Sequence, residues 1–162
     1  MIDKKEQSQN RERKTRILVV DDHAIVRQGL IKLVNEESDL VVCAEVGNAD
    51  EALEAFKEHQ VDLAIVDISL KGTNGLELTK RMKLRHPNLS ILILSMHDGL
   101  LYAQRSLQAG ASGYVAKYEA PEKIITAIRQ ILSGKIYVSE SEAVKMLPDA
   151  ASDDSENIDK PK

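Results

Sequence analysis

The chain alternates short apolar runs with segments in which apolar residues recur at helical spacing. Each apolar run is nearly continuous and rich in branched side chains, which is typical of strands buried on both faces of a parallel sheet. The predicted strands are RILVVD (16–21), LVVCAEV (40–46), DLAIVD (62–67), SILILS (90–95) and GYVAK (113–117).

A stripe of apolar residues at intervals of three and four follows each predicted strand, as one face of an amphipathic helix requires. The first residues of these stripes are Val26, Ala49, Leu78, Leu100 and Ile124. A strand followed by a helix, repeated in this way along the chain, predicts an α/β protein with a doubly wound, three-layer αβα architecture and right-handed crossovers.

Composition places the chain among globular proteins of ordinary size. It has 162 residues, of which 43% are hydrophobic and 30% charged, and a net charge of −4. This charge argues against a nucleic-acid or membrane binder, and no apolar run approaches the roughly 20 residues that span a bilayer. Cys43 is the only cysteine and lies in an apolar run, so we expect an inert core thiol and a cytoplasmic location.

The ends of the chain differ from its centre in composition. We predict a flexible polar segment at 1–15 and a single α/β domain at 16–134. A short extension follows at 135–147, in which YVSESEAVKML is a candidate for one short helix. The last segment, 148–162, is rich in acids and is predicted to be a disordered tail.

Polar side chains directly end four of the predicted strands: Asp21 and Asp22, Asp67, Ser95, and Lys117. Because parallel strands all point the same way, these residues gather at one edge of the sheet, where open α/β sheets bind ligands. Three carboxylates about 5 Å apart repel each other by roughly 3 kcal/mol per pair at an effective dielectric constant near 20. Mg²⁺ prefers such hard oxygen ligands, so the sequence predicts a magnesium site.

The same residue types suit phosphoryl transfer. Asp67 stands alone at the end of a central strand and is the candidate nucleophile. Asp21 and Asp22 would hold the metal, Lys117 would neutralise charge on the phosphoryl group, and Ser95 would donate a hydrogen bond to it.

Each of these residues also has an ordinary structural interpretation. Asp21 or Asp22 could cap the first helix, and Asp67 could be a turn residue. Ser95 could cap the fourth helix, and Lys117 could be a solvated surface lysine. For the two histidines at this edge, 23 and 97, we predict helix-start or loop roles.

Four segments together carry a family resemblance: ILVVDDHAIVRQGL, DLAIVDISLKGTNGLEL, SILILSMHD and GASGYVAKYEAPEKIITAI. They resemble the receiver domain of a two-component response regulator, of the NarL/FixJ subgroup that usually carries a LuxR-type helix-turn-helix. The resemblance implies the flavodoxin-like fold of CheY-like receivers, with a five-stranded parallel sheet of order 2-1-3-4-5.

The resemblance also implies roles for site residues. Asp67 would accept a phosphoryl group from a sensor histidine kinase or a phosphotransfer protein. Mg²⁺ would be bound by the three aspartates and the backbone carbonyl of Ser69. Ser95 and Tyr114 would change conformation and so alter the face made by the fourth helix, fifth strand and fifth helix. Such a protein is not an enzyme beyond catalysing its own phosphorylation and dephosphorylation.

Two departures from the family pattern bear on output. Lys71 stands where many relatives have proline, and the residues after Lys117 are too few to predict a helix-turn-helix. We therefore expect a stand-alone receiver or a truncated regulator, with no direct nucleic-acid binding by this chain and no membrane partner. A homodimer through the first and fifth helices, or through the switch face, is possible.

Two other functions remain open at this point. One is a receiver fragment of a LuxR-type DNA-binding transcriptional regulator. The other is a Mg²⁺-dependent phosphatase that uses Asp67 as its nucleophile. Against the second, Ser69 stands where the common aspartate phosphatases have an acid two residues after the nucleophile.

Overall fold

The computed structural model describes residues 13–96 and 100–138. In this part of the chain six strands form one sheet in the order β2-β1-β3-β4-β5-β6, and every neighbouring pair is parallel. The strands are β1 (Thr15–Val20), β2 (Leu40–Val46), β3 (Leu63–Asp67), β4 (Ser90–Ser95), β5 (Gly113–Ala116) and β6 (Tyr137–Val138).

Four helices connect the first five strands in turn, and a fifth helix follows β5. They are α1 (Ala24–Asn35), α2 (Ala49–Glu58), α3 (Gly75–Arg85), α4 (Leu100–Gln108) and α5 (Ala120–Leu132), and a short 3₁₀ helix (Lys117–Glu119) precedes α5. Among the described residues, no helix is long and apolar enough to cross a bilayer.

The sheet is covered on both faces. Alternate residues of a strand point to opposite faces, and β1 accordingly sends Leu18 and Val20 into one apolar cluster and Ile17 and Val19 into the other. The first cluster packs under α2, α3 and α4, and the second under α1 and α5. Every residue of β3 is buried, which explains why the central runs are apolar throughout.

The loop after β3 needs a glycine where α3 begins. A side chain on Gly75 would collide with the backbone of Asp67 and Ile68. The Gly75 N–H donates to the Ile68 carbonyl at 2.9 Å, and Asn74 caps the helix by accepting from the N–H of Leu76. The start of α3 is therefore held directly against the residue that ends β3.

The predicted architecture is confirmed, with one addition. The strand order 2-1-3-4-5 is present, and β6 extends it beyond β5. Tyr137 and Val138 are a strand, although the segment 137–147 was the candidate for a short helix. The rest of that segment, the acidic tail and residues 1–12 lie outside the described residues, and the division of the chain into four parts stays a prediction.

Candidate functional site

The predicted site residues meet at the carboxyl ends of the strands. Asp21 directly follows β1, Asp67 ends β3 and Ser95 ends β4, and all three are buried. Lys117 follows β5 as the first residue of the 3₁₀ helix. The parallel arrangement thus brings together side chains that are far apart in the sequence, as the sequence analysis expected.

Lys117 links two of the aspartates. Its Nζ lies 2.9 Å from Asp21 Oδ2 and 3.1 Å from Asp67 Oδ2, and its side chain is only 7% exposed. A surface lysine is therefore the wrong description of this residue. Removing one partner from a buried ion pair leaves an uncompensated charge and typically costs about 3–5 kcal/mol.

Asp22 is held by the loop that follows β3. Its Oδ2 accepts a hydrogen bond from the N–H of Lys71 at 3.2 Å. In the same loop, the N–H of Ser69 donates to Asp67 Oδ1 at 3.0 Å. The loop therefore orients two of the three carboxylates and places the Ser69 backbone next to Asp67.

Three buried carboxylate oxygens of the site accept no hydrogen bond from the described residues: Asp21 Oδ2, Asp22 Oδ1 and Asp67 Oδ2. The first and third lie at ion-pair distance from Lys117 but receive no well-oriented donor. One ligand atom from each aspartate and from His23 lies within 4.8 Å of the others. Converging oxygens without donors suit a hard divalent cation such as Mg²⁺, so these residues fit the ion that the sequence predicts.

His23 is a site residue that the sequence analysis missed. It is the N-cap of α1, as predicted, but its side chain makes no cap and turns into the pocket instead. Its Nδ1 lies 2.9 Å from Asp21 Oδ1 and 3.0 Å from Asp22 Oδ1, and 3.4 Å from Lys117 Nζ. The only sequence signal was its position directly after the two aspartates. His97, predicted in the same way, lies outside the described residues.

Arg27 was missed for a different reason. One turn into α1, its guanidinium donates to the backbone carbonyl of Asp21, which sequence spacing does not reveal. Its Nη1 also lies beside Gly47, where a side chain would stand 3.5 Å from it. Its Nε lies 3.7 Å from Glu45 Oε1 on β2, so Arg27 links the end of β1 to β2.

Ser95 and Tyr114 lie beside the pocket rather than in its carboxylate cluster. Ser95 pairs with Ala116 and Tyr114 pairs with Ile93 across β4 and β5. Both side chains are buried, so neither is a surface residue in this structure. Their positions are compatible with the switch roles predicted for them, which stay predictions.

Cys43 takes no part in the site. It lies on β2, half-buried, and burial raises the pKa of its thiol above the ordinary value. A raised pKa leaves little reactive thiolate at neutral pH. This agrees with the expectation that the thiol is inert.

Comparison with known proteins gives consistent results. The family model described as the response regulator receiver domain matches residues 17–129. The transcriptional activator protein ExaE of Pseudomonas putida is 36% identical over 130 residues, which is 80% of this chain and 61% of ExaE. The response regulator UvrY of Escherichia coli K12 is 31% identical over 130 residues, 80% of this chain and 60% of UvrY.

A solved structure is similar in fold and length. The crystal structure of a LuxR-family two-component response regulator from Aurantimonas has a TM-score of 0.80 and 35% identity, covering 85% of this chain and 99% of that one. This chain spans about three fifths of the two sequence relatives. The family model matches most of the chain, and the sequence relatives and the solved structure agree with it. This protein therefore belongs to the response regulator receiver domain family of two-component signalling.

Proposed function

We propose that Asp67 is the phosphoryl acceptor of this receiver, and that a phosphohistidine on a sensor histidine kinase or a phosphotransfer protein is the donor. The observation that carries the proposal is the environment of Asp67. Its carboxylate is buried, one oxygen has no hydrogen-bond donor among the described residues, and the Lys117 ammonium lies 3.1 Å from that oxygen. Such a carboxylate can attack the phosphorus of a phosphoryl group, whose negatively charged oxygens would then pair with the lysine.

In the proposed reaction an oxygen of Asp67 attacks phosphorus, and the bond between phosphorus and the donor imidazole nitrogen breaks. The imidazole leaves with the electron pair of that bond and takes up a proton, which yields an aspartyl-phosphate and a neutral histidine. The N–H of Ser69 holds the other carboxylate oxygen of Asp67. The ammonium of Lys117 pairs with the negatively charged phosphoryl oxygens, and Ser95 donates a hydrogen bond to one of them.

Magnesium would be held by Asp21, Asp22 and Asp67 and by the backbone carbonyl of Ser69. When bound, the ion supplies positive charge that offsets the repulsion among the carboxylates and the incoming phosphoryl oxygens. Lys117 alone is one positive charge against three negative ones, so the pocket without the ion retains net negative charge. The dependence of phosphorylation on Mg²⁺ follows from this charge balance.

A small phosphodonor tests the proposal. With Mg²⁺ and a small acyl-phosphate donor, we expect up to one phosphoryl group per chain, measured by intact mass, and none on Asp67→Asn. Slow release of the bound phosphoryl supports a switch. Steady turnover of added phosphoesters would instead support the phosphatase. The serine at position 69 disfavours that alternative, because the common aspartate phosphatases have an acid there.

The output of the switch is a further proposal. ExaE is described as a transcriptional activator, and this chain matches about three fifths of it. We propose that the phosphorylated receiver acts in the cytoplasm through protein contacts, including a second copy of itself, rather than by touching DNA. Saturable, sequence-specific DNA binding by this 162-residue chain would contradict this and support the DNA-binding alternative.

A further inference from the structure

The edge of β5 is occupied by the segment that follows α5. Tyr137 and Val138 form β6 and pair in parallel with Gly113 and Tyr114. The N–H of Tyr137 donates to the carbonyl of Ser112 at 2.9 Å. The strand predicted to contribute to the switch face is therefore internal to the sheet, and β6 is its neighbour.

β6 is anchored on both faces of the sheet. Paired residues of neighbouring strands point to the same face, so Val138 lies beside Tyr114. Both pack in the apolar cluster under α2, α3 and α4. Tyr137 points to the other face and is buried in the cluster under α5. Docking of β6 thus buries apolar surface against the core on each side.

The sequence of β5 makes room for this contact. A side chain on Gly113 would lie 2.7 Å from Ile131 Cδ1 and 3.0 Å from both Leu92 Cδ1 and the Tyr137 carbonyl oxygen. A side chain here would require Ile131, Leu92 and the Tyr137 backbone to shift. The glycine therefore allows β6 and α5 to approach β5 as closely as they do.

A row of residues connects β6 with the phosphoryl acceptor. Ser95 ends β4 one residue after Leu94, which pairs with Asp67, and it pairs with Ala116, two residues after Tyr114. Ser95 and Tyr114 are thus diagonal neighbours, a spacing that aromatic side chains bridge. Tyr114 in turn lies beside Val138. Ser95, Tyr114 and Val138 thus form a row on one face of three adjacent strands, and Ser95 at one end of the row is one residue from the partner of Asp67.

The packing along this row predicts how a phosphoryl group on Asp67 would affect the docking of β6. Ser95 and Tyr114 are both buried, and protein interiors are close-packed. If Ser95 moves toward a phosphoryl group on Asp67, it vacates volume next to Tyr114. The buried position of Tyr114 then becomes more favourable, and with it the packing of Tyr114 against Val138.

We propose that the edge of β5 is an intramolecular docking surface for β6, and that phosphorylation of Asp67 tightens this docking. β6 thereby transmits the state of the site to the chain that follows Val138, and it keeps the β5 edge closed to other strands. This inference rests on the proposed function, because it requires a phosphoryl group on Asp67.

Amide exchange of Tyr137 tests the inference directly. Beryllofluoride, an analogue of the acyl phosphate, is added with Mg²⁺, and exchange is followed by NMR. We expect the Tyr137 N–H to exchange about fivefold more slowly with beryllofluoride bound, which is the lower end of measured couplings between linked sites. Tyr114→Ala should abolish the difference, whereas the exposed Tyr118→Ala should retain it.

A milder pair of variants keeps the test valid if Tyr114→Ala does not fold. Val138→Ala should weaken beryllofluoride binding, by a factor no larger than that by which beryllofluoride slows exchange of Tyr137, because linkage is reciprocal. Ile136→Ala, next to β6 but with its side chain 64% exposed, should leave the affinity unchanged.

The failures are distinguishable. If beryllofluoride shifts the amides of Asp67, Ser95 and Tyr114 but leaves Tyr137 exchange unchanged or faster, the proposed coupling is wrong while the phosphoryl acceptor stands. If beryllofluoride leaves Asp67 undisturbed, the proposed function is wrong and the inference is overturned with it.

Discussion

Two ion clusters in this receiver have nearly the same distances and very different surroundings. Lys117 lies 2.9 Å and 3.1 Å from carboxylate oxygens of Asp21 and Asp67. Arg129 lies 2.8 Å and 2.9 Å from those of Asp39 and Glu37. The lysine and its partners are buried, whereas the arginine is 44% exposed. Distance alone therefore does not tell which cluster carries chemistry.

Burial changes what each cluster does. Around Arg129, water screens the charges, and exposed pairs of this kind contribute little stability. The hydrogen bond from Arg129 lowers the pKa of Asp39. Because Glu37 and Asp39 lie between α1 and β2, the cluster mainly links α5 to that loop. Around Lys117 the side chains are buried, so water screens the charges less, each charge is costly without a partner, and an ion or phosphoryl group can change the balance strongly.

The largest expected effect is that of Asp67→Asn on labelling. The amide is nearly the same size as the carboxylate but is not a nucleophile, so we expect no stable phosphoryl label from a small phosphodonor. The far-ultraviolet circular dichroism should be unchanged, since Lys117 still pairs with Asp21. Label at the yield of the unaltered protein would show that the nucleophile is another residue.

Lys117→Ala should have the next largest effect. It leaves Asp21 and Asp67 buried without their cation, so without Mg²⁺ we expect a loss of about 3–5 kcal/mol in the free energy of unfolding. Mg²⁺ should restore part of this loss, because it still binds the carboxylates, while the conformational response to phosphorylation is lost. Urea unfolding with and without Mg²⁺ measures the first effect, and helix α4 amide shifts measure the second.

Arg129→Ala is the matched control for that variant. It removes a cation from two carboxylates at nearly the same distances as in the Lys117 cluster, but at an exposed position. Mg²⁺ should therefore not alter the stability of this variant. If the two variants lose equal stability and respond equally to Mg²⁺, burial is not what separates the clusters.

A smaller effect is expected for His23→Ala. The imidazole contacts Asp22 Oδ1, one of the three oxygens that suit Mg²⁺, and also Asp21 Oδ1, so its removal should tighten Mg²⁺ binding. A hydrogen bond contributes about 0.5–1.5 kcal/mol net, which corresponds to an affinity change of about tenfold or less. Calorimetric titration checks this, and weaker binding would indicate that His23 assists the ion rather than competing with it.

The smallest effect is the pH dependence of the exposed cluster. The pKa of Asp39 is lower in the folded chain, so its contribution to stability is present above the ordinary aspartate pKa. That contribution disappears as the pH falls through the lowered value. Unfolding midpoints measured for the protein and for Asp39→Asn should therefore differ slightly near neutral pH and converge in acid. A difference that grows in acid would contradict this sign.

The pattern of apolar residues was sufficient to predict a parallel sheet and the convergence of Asp21, Asp67, Ser95 and Lys117, whereas the strand order came from the family resemblance. The reason is that runs buried on both faces imply a parallel sheet, and a parallel sheet brings its strand ends together. The strand at Tyr137 was not predicted. It is two residues long, too short for a periodic pattern, and it is held by pairing with β5 and by burial of Tyr137.

Residue types and their order thus determined the fold class and the composition of the pocket, since both follow from local periodicity and from the direction of parallel strands. Only the tertiary structure decided how the side chains are used. It turned His23 into the pocket, buried the side chain of Lys117, exposed Arg129 and placed Val138 beside Tyr114. Burial and side-chain direction depend on neighbours distant in sequence, and no local pattern encodes them.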